Sequence, residues 1–274
     1  MTTWADSGNH PHGQRGPHFS GTTQGQFDRI SSMGQRPPFG QIEQVGQAVV
    51  NSTAVIYWHA DGGPILHNGS MFFVHTKRAL FGVTARHVYE EYLERAETEP
   101  TICKINNLKV NLKDRLIGTG TEVDIATFRV TPVELANLVG NIPVPWPPKV
   151  PAVGARVFVC GLPGLARSMP TLKKVAFKHS WILMCVDSVS DRGISMVRQP
   201  NEEMIDLLGA ELPPQNIDIG GMSGGPIAVH MNTPVGSTCW FLSAVITEGH
   251  QAQAYDIIHG ARADWINDDG TITG

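Results

Sequence analysis

The chain has 274 residues, of which 41% are hydrophobic and 17% are charged, and its formal net charge at pH 7 is −4. This composition is typical of a globular protein with a buried core and excludes a disordered chain. No basic run offers an electrostatic basis for nucleic-acid binding, and no stretch approaches the about 20 apolar residues that cross a bilayer. We therefore expect neither a nucleic-acid nor a membrane partner.

The N-terminal segment is rich in Gly, Gln, His, Pro and Ser and shows no apolar period, so residues 1–45 are predicted to form a flexible arm. Its histidines, His10, His12 and His18, have no acidic or cysteine partner nearby, and no metal site is expected. The first residues lack a basic segment followed by an apolar one, and no secretory signal peptide is expected.

Short runs of β-forming residues follow the arm, with turns predicted at 62–64 and 67–69. The predicted strands cover 53–58, 70–74, 80–84, 101–105, 107–112 and 123–130. Apolar positions spaced by three and four predict one helix between them, over 88–95. These elements define a first β domain over residues 46–131.

Five prolines cluster between positions 143 and 151, which excludes a central strand or a helix interior there. Residues 132–152 are therefore predicted to link two domains. The second domain, 153–274, has predicted strands at 156–160, 174–187, 193–198, 225–230 and 238–247. Near-helical spacing of apolar residues predicts a short C-terminal helix over 254–267. The fold is thus predicted to be all-β, with two closed antiparallel β-barrels, because closure removes exposed strand edges.

The four cysteines are far apart and show no metal-binding or redox spacing: Cys103, Cys160, Cys185 and Cys239. The last three lie in apolar runs, which favours buried free thiols. With no signal peptide and no disulfide framework, we expect a cytoplasmic location. Nothing in the sequence calls for a cofactor.

The segment 219–227 reads Ile-Gly-Gly-Met-Ser-Gly-Gly-Pro-Ile and carries the strongest local signal. Four glycines allow a tight turn that exposes the hydroxyl of Ser223 beside free backbone N–H groups, which can face a developing oxyanion. The alternative is a Gly-rich hairpin in which this serine is idle.

A serine nucleophile needs a base, and the base needs an orienting acid. Among eleven histidines, His87 stands out because it follows a strand and begins a predicted helix. Asp124 interrupts an apolar strand, where an unpaired charge is costly. Taken alone, His87 fits an ordinary helix start equally well, and Asp124 fits an outward-facing strand residue or a turn cap.

In chain order, three motifs resemble those of the trypsin-like, or chymotrypsin-fold, serine peptidases: Thr84-Ala85-Arg86-His87, Asp124-Ile125-Ala126 and Gly221-Met222-Ser223-Gly224-Gly225-Pro226. The resemblance covers about residues 45–267 and implies two six-stranded barrels with the cleft between them. It implies that Ser223 is the nucleophile, His87 the general base and Asp124 its orienting acid. The backbone N–H groups of Gly221 and Ser223 would form the oxyanion hole.

Several positions depart from the secreted members of that family. Val88 replaces the usual cysteine after the histidine, as expected of a compact, disulfide-poor intracellular type. Met222 replaces the acid that pairs with a freed N-terminal amine in those members. Ile217 occupies the usual floor of the primary specificity pocket, so specificity for Arg or Lys is not expected unless the alignment shifts by one residue to Asp218.

The segment 242–249 resembles the family's substrate-binding strand. Thr247 and Gly249 would offer backbone hydrogen bonds to an extended protein or peptide substrate, the expected partner. Glu248 would lie on the pocket wall or, alternatively, at a solvated rim. The sequence leaves any regulatory partner open.

The predicted function is a serine endopeptidase, and the alternative is a peptide-binding or scaffold protein on a peptidase fold with weak or no catalysis. An α/β-hydrolase esterase is disfavoured because its serine precedes the acid and the histidine in the chain.

Overall fold

A computed structural model describes residues 39–61, 66–138, 140–171, 174–198, 220–232, 238–252 and 255–273. The helices are α1 (Phe39–Ser52), α2 (Arg86–Thr98) and α3 (Pro132–Asn137). The strands are β1 (Thr53–Ala60), β2 (Leu66–His75), β3 (Leu80–Thr84), β4 (Thr101–Ile105), β5 (Leu108–Val110), β6 (Leu116–Thr119), β7 (Ala126–Arg129), β8 (Arg156–Gly161), β9 (Arg167–Thr171), β10 (Lys174–Phe177), β11 (Ser180–Val189), β12 (Gly193–Arg198), β13 (Pro226–Asn232), β14 (Thr238–Ala252) and β15 (Tyr255–Arg262). None of the helices in this part of the chain is long and apolar enough to cross a lipid bilayer.

The first β unit is a seven-stranded antiparallel sheet in the order β5-β4-β1-β2-β3-β7-β6. Its inward side chains include Trp58, Phe73 and Phe128, which are buried together with Val88 and Tyr92 of helix α2. Burial of these large apolar side chains holds α2 against the sheet. The start of α2, which carries His87, is therefore fixed relative to strand β3.

The second β unit is a closed six-stranded barrel, β11-β12-β15-β14-β13-β8. Its core contains Val159, Met196, Ile227 and Ile258. A further buried cluster joins the two units, with Phe72 and Phe81 of the first unit packed with side chains of the second: Leu242, Val245 and Ala261. The two β units therefore share an apolar interface, and groups from both can meet at its rim.

The predicted all-β class, with two antiparallel units, is confirmed. The prediction of two closed six-stranded barrels was wrong for the first unit, because the hairpin β4–β5 and strand β6 extend it into an open seven-stranded sheet. A segment near the C-terminus covers the β6–β7 side, where the hydroxyl of Thr127 donates to the carbonyl of Gly270 at 2.5 Å and Ile272 packs near Gly118.

The C-terminal helix predicted over 254–267 was wrong. Strand β15 occupies most of that segment and pairs with β12 on one side and β14 on the other. Pairing on both edges of a closed barrel outweighs a weak helical period, and β-branched Ile257 and Ile258 suit a strand. Only Ala263–Trp265 form a short 3-10 turn.

Helix α1 corrects the boundary of the predicted arm. The helix begins at Phe39, so residues 39–45 are not part of a flexible segment. Val45 and Val49 are buried against the outer face of the barrel, where they contact Phe158 and Ala228. Residues 1–38 lie outside the described residues, and the arm remains a prediction for them.

Most other predicted elements are confirmed within the described residues. The helix predicted over 88–95 is α2, and the strand predicted over 156–160 is β8. The run 174–187 is divided into β10 and β11, and the predicted turn at 67–69 lies inside β2. The 132–152 segment includes α3, which Thr131 caps through its side chain; its role as a linker stays a prediction.

None of the four cysteines forms a disulfide bond. Cys160 is buried as predicted, and burial raises its pKa to about 12. The prediction of burial was wrong for Cys185, which is exposed on β11, and Cys239 is half-buried.

Candidate active site

Ser223 lies in a tight loop that leads into strand β13. The loop is held by backbone hydrogen bonds on both sides: the N–H of Gly224 donates to Ile246 O at 2.7 Å, and the N–H of Ser70 donates to Ser223 O at 2.8 Å. The first bond ties the loop to the barrel, and the second ties it to the first β unit. The serine is thus fixed at the junction of the two units.

Gly221 and Gly224 give this loop its shape, with φ angles of +94° and +88° that side-chain-bearing residues rarely adopt. A Cβ atom on Gly221 would lie 2.8 Å from Leu162 O. A Cβ atom on Gly224 would collide with Thr84 Oγ1 and Ser70 O. Both glycines are therefore required by conformation and by close packing.

His87 lies in the first turn of α2, and Asp124 lies in the turn before β7 rather than within the predicted strand. Asp124 Oδ2 is 2.6 Å from His87 Nδ1, and Asp124 Oδ1 accepts the backbone N–H of His87 at 2.9 Å. Helix α2 has no side-chain cap from its own N-cap residue, Ala85. The carboxylate of Asp124 therefore satisfies a helix N-terminal N–H and orients the imidazole at once.

The contact between Asp124 and His87 shifts both pKa values. The hydrogen bond that Asp124 accepts from the ring raises the pKa of His87 above 6.5, although burial acts in the opposite direction. Burial alone would raise the pKa of Asp124. Hydrogen bonds from the side chain and backbone of His87, with the charge of Arg86, more than offset this and hold it below 3.8. The pair therefore favours an ionised Asp124.

In two peptide groups of the loop, the carbonyl oxygen accepts a hydrogen bond, and this fixes the direction of the N–H group in the same peptide. Gly220 O accepts from the N–H of Gly164 at 2.7 Å, and Met222 O accepts from the N–H of Gly225 at 2.9 Å. In a trans peptide the N–H points opposite to the carbonyl, so these bonds fix the N–H directions of Gly221 and Ser223. Neither N–H has an acceptor among the described residues.

The predicted triad residues line one open cleft of about 560 Å³, together with Gly220, Thr247, Glu248 and Gly249. Strand β13 pairs with β14 only as far as Pro226 opposite Val245, and the N–H of Ile246 then bonds Gly225 O. Beyond Ile246, the edge of β14 on the cleft side has no paired strand within the described residues. An extended peptide can add to that edge.

The hydroxyl of Ser223 donates to Thr247 O at 3.4 Å, which is a long contact. Rotation about the Cα–Cβ bond redirects this hydroxyl at little cost. Ile217, predicted to form the floor of the specificity pocket, lies outside the described residues.

A second pocket of about 400 Å³ shares Asp124 and Thr247 with the cleft and extends toward the β11–β12 turn. An ion pair between Glu122 of the first unit and Arg192 of the second lies at this pocket. No group of three or more His, Cys, Asp or Glu side chains that could hold a metal ion occurs in the described ranges.

Sequence reasoning missed the residues of the first β unit that hold the Ser223 loop. Ser70 Oγ donates to Gly221 O at 2.8 Å, and Thr84 Oγ1 donates to Ser70 O at 2.7 Å. Asn68 Nδ2 donates to Leu162 O at 2.9 Å. The contacts to Gly221 and Leu162 join distant parts of the chain, and their only local signal was a set of polar residues at the start of an otherwise apolar strand.

No family model and no curated protein matches the chain. Among solved structures, it is similar to the serine endoprotease from Yersinia pestis at 13% identity and a TM-score of 0.44, over 82% of this chain and 63% of that chain. The chain thus spans less than two thirds of that enzyme.

It is also similar to catalytically active tobacco etch virus protease complexed with product, at 11% identity and a TM-score of 0.43, over 92% of this chain and 82% of that chain. A thermostable serine protease, AL20, from an extremophilic microorganism matches at 12% identity and a TM-score of 0.42, over 78% of this chain and 92% of that chain. These likenesses are remote, and they assign no activity to this chain.

Proposed function

We propose that this chain is a serine endopeptidase that hydrolyses peptide bonds through Ser223, His87 and Asp124. The observation that carries the proposal is the pair of hydrogen bonds that Asp124 accepts from the ring and the backbone of His87, in a cleft that also contains Ser223. An imidazole held in one tautomer, in the same cleft as a serine on a tight, glycine-flanked loop, provides the groups that nucleophilic acyl transfer needs. We also propose a cytoplasmic location, consistent with four cysteines that form no disulfide bond.

In the first half of the reaction, Ser223 Oγ attacks the carbonyl carbon of the peptide bond while His87 Nε2 takes the hydroxyl proton. The N–H groups of Gly221 and Ser223 stabilise the oxyanion that forms. The C–N bond then breaks, His87 gives its proton to the leaving amine, and an acyl-enzyme ester remains on Ser223.

In the second half, water replaces the departed amine. The water oxygen attacks the ester carbonyl while His87 takes a proton from the water. The Oγ–C bond breaks, the proton passes to Ser223 Oγ, and the carboxylic acid product leaves. Asp124 stays ionised throughout and stabilises the imidazolium.

Substrate binding is proposed to follow strand addition on β14, with backbone hydrogen bonds to Thr247 and Gly249. Ile217 and Glu248 are proposed to border the primary specificity pocket. One observation favours a peptide-binding protein without catalysis, since the Ser223 hydroxyl contacts Thr247 rather than His87.

Labelling with a fluorophosphonate probe separates these two functions without knowledge of the substrate. Ser223 Oγ forms a bond to phosphorus, fluoride leaves, and His87 takes the proton. We expect the wild-type chain to be labelled at Ser223, Ser223→Ala to lose labelling, and both proteins to have the same far-UV circular dichroism. Ser190→Ala, at an exposed serine beside the second pocket, is the matched control and should label normally. A folded wild-type chain that resists the probe and hydrolyses no peptide library would favour the peptide-binding alternative.

A further inference from the structure

Ser70, on strand β2, directs all of its polar groups toward the Ser223 loop and its supports. The side chain is fully buried, at 0% exposure. Its Oγ donates to Gly221 O at 2.8 Å and accepts the N–H of Leu162 at 2.8 Å. Its backbone N–H donates to Ser223 O at 2.8 Å. A buried hydroxyl with both donor and acceptor satisfied has one orientation, so it can fix its partners.

The partner that matters is the carbonyl of Gly221. Glycine rotates freely about its backbone bonds, and at φ +94° nothing intrinsic keeps Gly221 in this conformation. The peptide plane between Gly221 and Met222 lies between the two N–H groups proposed to bind the oxyanion. Rotation of that plane changes ψ of Gly221 and φ of Met222, so it shifts the flanking peptides that carry those N–H groups and strains the bonds at Gly220 O and Met222 O that orient them.

The side chain of Met222 also keeps this peptide in place. It is 1% exposed and packed in the core of the closed barrel. The loop is therefore held from both units, by Met222 in the barrel and by the Ser70 hydroxyl in the first sheet. Neither the Met222 side chain nor the Ser70 hydroxyl carries a charge.

We propose that Ser70 is a positioning residue that keeps the Gly221–Ser223 loop in its oxyanion-binding shape. This inference rests on the proposed function, because a loop without chemistry needs no such shape. Ser70 does not touch the substrate; it acts through the carbonyl of Gly221. Its removal should weaken stabilisation of the oxyanion-like state more than binding of the ground state.

The test measures kinact and KI for fluorophosphonate labelling, since the phosphoryl oxygen of the adduct occupies the oxyanion position. Two variants are compared: Ser70→Ala removes the hydroxyl, and Ser70→Cys keeps nearly the same volume with only a weak donor. Ser52→Ala is the control, because Ser52 is also fully buried and donates to a backbone carbonyl, that of Val49 at 2.7 Å, away from the cleft. Thermal unfolding shows that each variant is folded at the assay temperature.

Direct loss of one oxyanion donor costs about 10²–10³-fold in rate, and loss of a residue that only positions the donors should cost about 10- to 100-fold. We expect kinact to fall by that factor in both Ser70 variants, with KI changed by less than about threefold. Ser52→Ala should leave both constants near those of the wild type.

Wild-type kinact in a folded Ser70→Cys or Ser70→Ala variant would overturn the inference and leave the proposed function standing. An equal loss in Ser52→Ala would also overturn it, since the effect would then be general destabilisation. A wild-type chain that is never labelled would instead overturn the proposed function, and this inference with it.

Discussion

Asp124 contacts His87 at two points, with one carboxylate oxygen 2.6 Å from the ring Nδ1 and the other 2.9 Å from the backbone nitrogen. The ring contact fixes the tautomer, and the backbone contact fixes the first turn of α2. Arg86 adds a third link, because its Nη1 donates to Gly120 O at 2.8 Å, at the start of the turn that carries Asp124. The helix start and the acidic turn are thus one rigid group.

Asp124→Asn tests the ring contact. An amide keeps the shape of the carboxylate but favours the wrong imidazole tautomer, and we expect kcat to fall by on the order of 10⁴. Steady-state hydrolysis of a peptide selected from a library measures this value. Asp114→Asn, at an exposed acid outside the cleft, serves as the control. A loss below about tenfold would place the orienting acid elsewhere.

The acid side of the pH profile should reflect the raised pKa of His87. The base is active only when neutral, so kcat/KM should fall as the pH drops through the folded-state pKa, above the 6.5 of a free imidazole. In Asp124→Asn the largest cause of the upward shift is gone, and the midpoint should move to lower pH. Labelling rates between pH 5 and 9 measure both midpoints. An unchanged midpoint in the variant would contradict the assignment of this titration to His87.

Gly224→Ala tests the packing of the Ser223 loop. The new Cβ would strain the backbone at φ +88° and collide with Thr84 and Ser70, so both stability and labelling should fall sharply. Gly140→Ala is a matched control, since Gly140 has φ +87° but no atom within 4 Å of the new Cβ. Gly140→Ala should lower the free energy of unfolding by only about 1–2 kcal/mol, the cost of a positive φ for a residue with a Cβ atom. Urea unfolding compares the two, and equal losses would show that packing around Gly224 adds nothing.

Full-length protein should be labelled without proteolytic processing. Met222 offers no charge to a freed N-terminal amine and is instead 1% exposed in the barrel core. The assay compares intact protein, verified by mass, with protein nicked at several sites in residues 1–38. Labelling that appears only after one defined cleavage, and that acetylation of the new amine abolishes, would contradict the prediction.

Helix α1 should contribute to the stability of the fold, and the segment before it should not be needed for activity. Val49 is fully buried against the barrel, and Val49→Ala should lower the free energy of unfolding by about 2 kcal/mol. Gln47→Ala, on the exposed side of the same helix, should change it by less than about 0.5 kcal/mol.

Deletion of residues 1–38 should leave kcat/KM within about threefold, because their composition does not favour a packed core. A loss of activity in a folded deletion variant would show that this segment completes the cleft.

Residue patterns were sufficient where the structure depends on local chemistry. The glycines around Ser223 predicted a tight turn, and the spacing after His87 predicted helix α2. Strand β15 was misassigned because apolar residues at near-helical spacing also fit a strand whose neighbours are unknown. Pairing with β12 and β14 decides that segment, and it depends on residues far away in the chain.

The supports of the candidate site could not be predicted for the same reason. In the sequence, Ser70 is an ordinary strand serine, because 151 residues separate it from Gly221 and only folding brings the two together. Helix α1 was missed because its apolar stripe follows a long Gly- and Gln-rich stretch, whose composition dominated the prediction. Position within the fold, rather than residue type, gives both elements their importance.

The long span between Ser70 and Gly221 also has a consequence during synthesis. Contacts between residues so distant in sequence form late, after the intervening chain has emerged from the ribosome and its two β units have docked. A nascent chain that lacks β14 has the histidine and the acid but no substrate edge. We therefore expect ribosome-bound intermediates to be proteolytically silent, which would protect both the growing chain and its neighbours from premature cleavage.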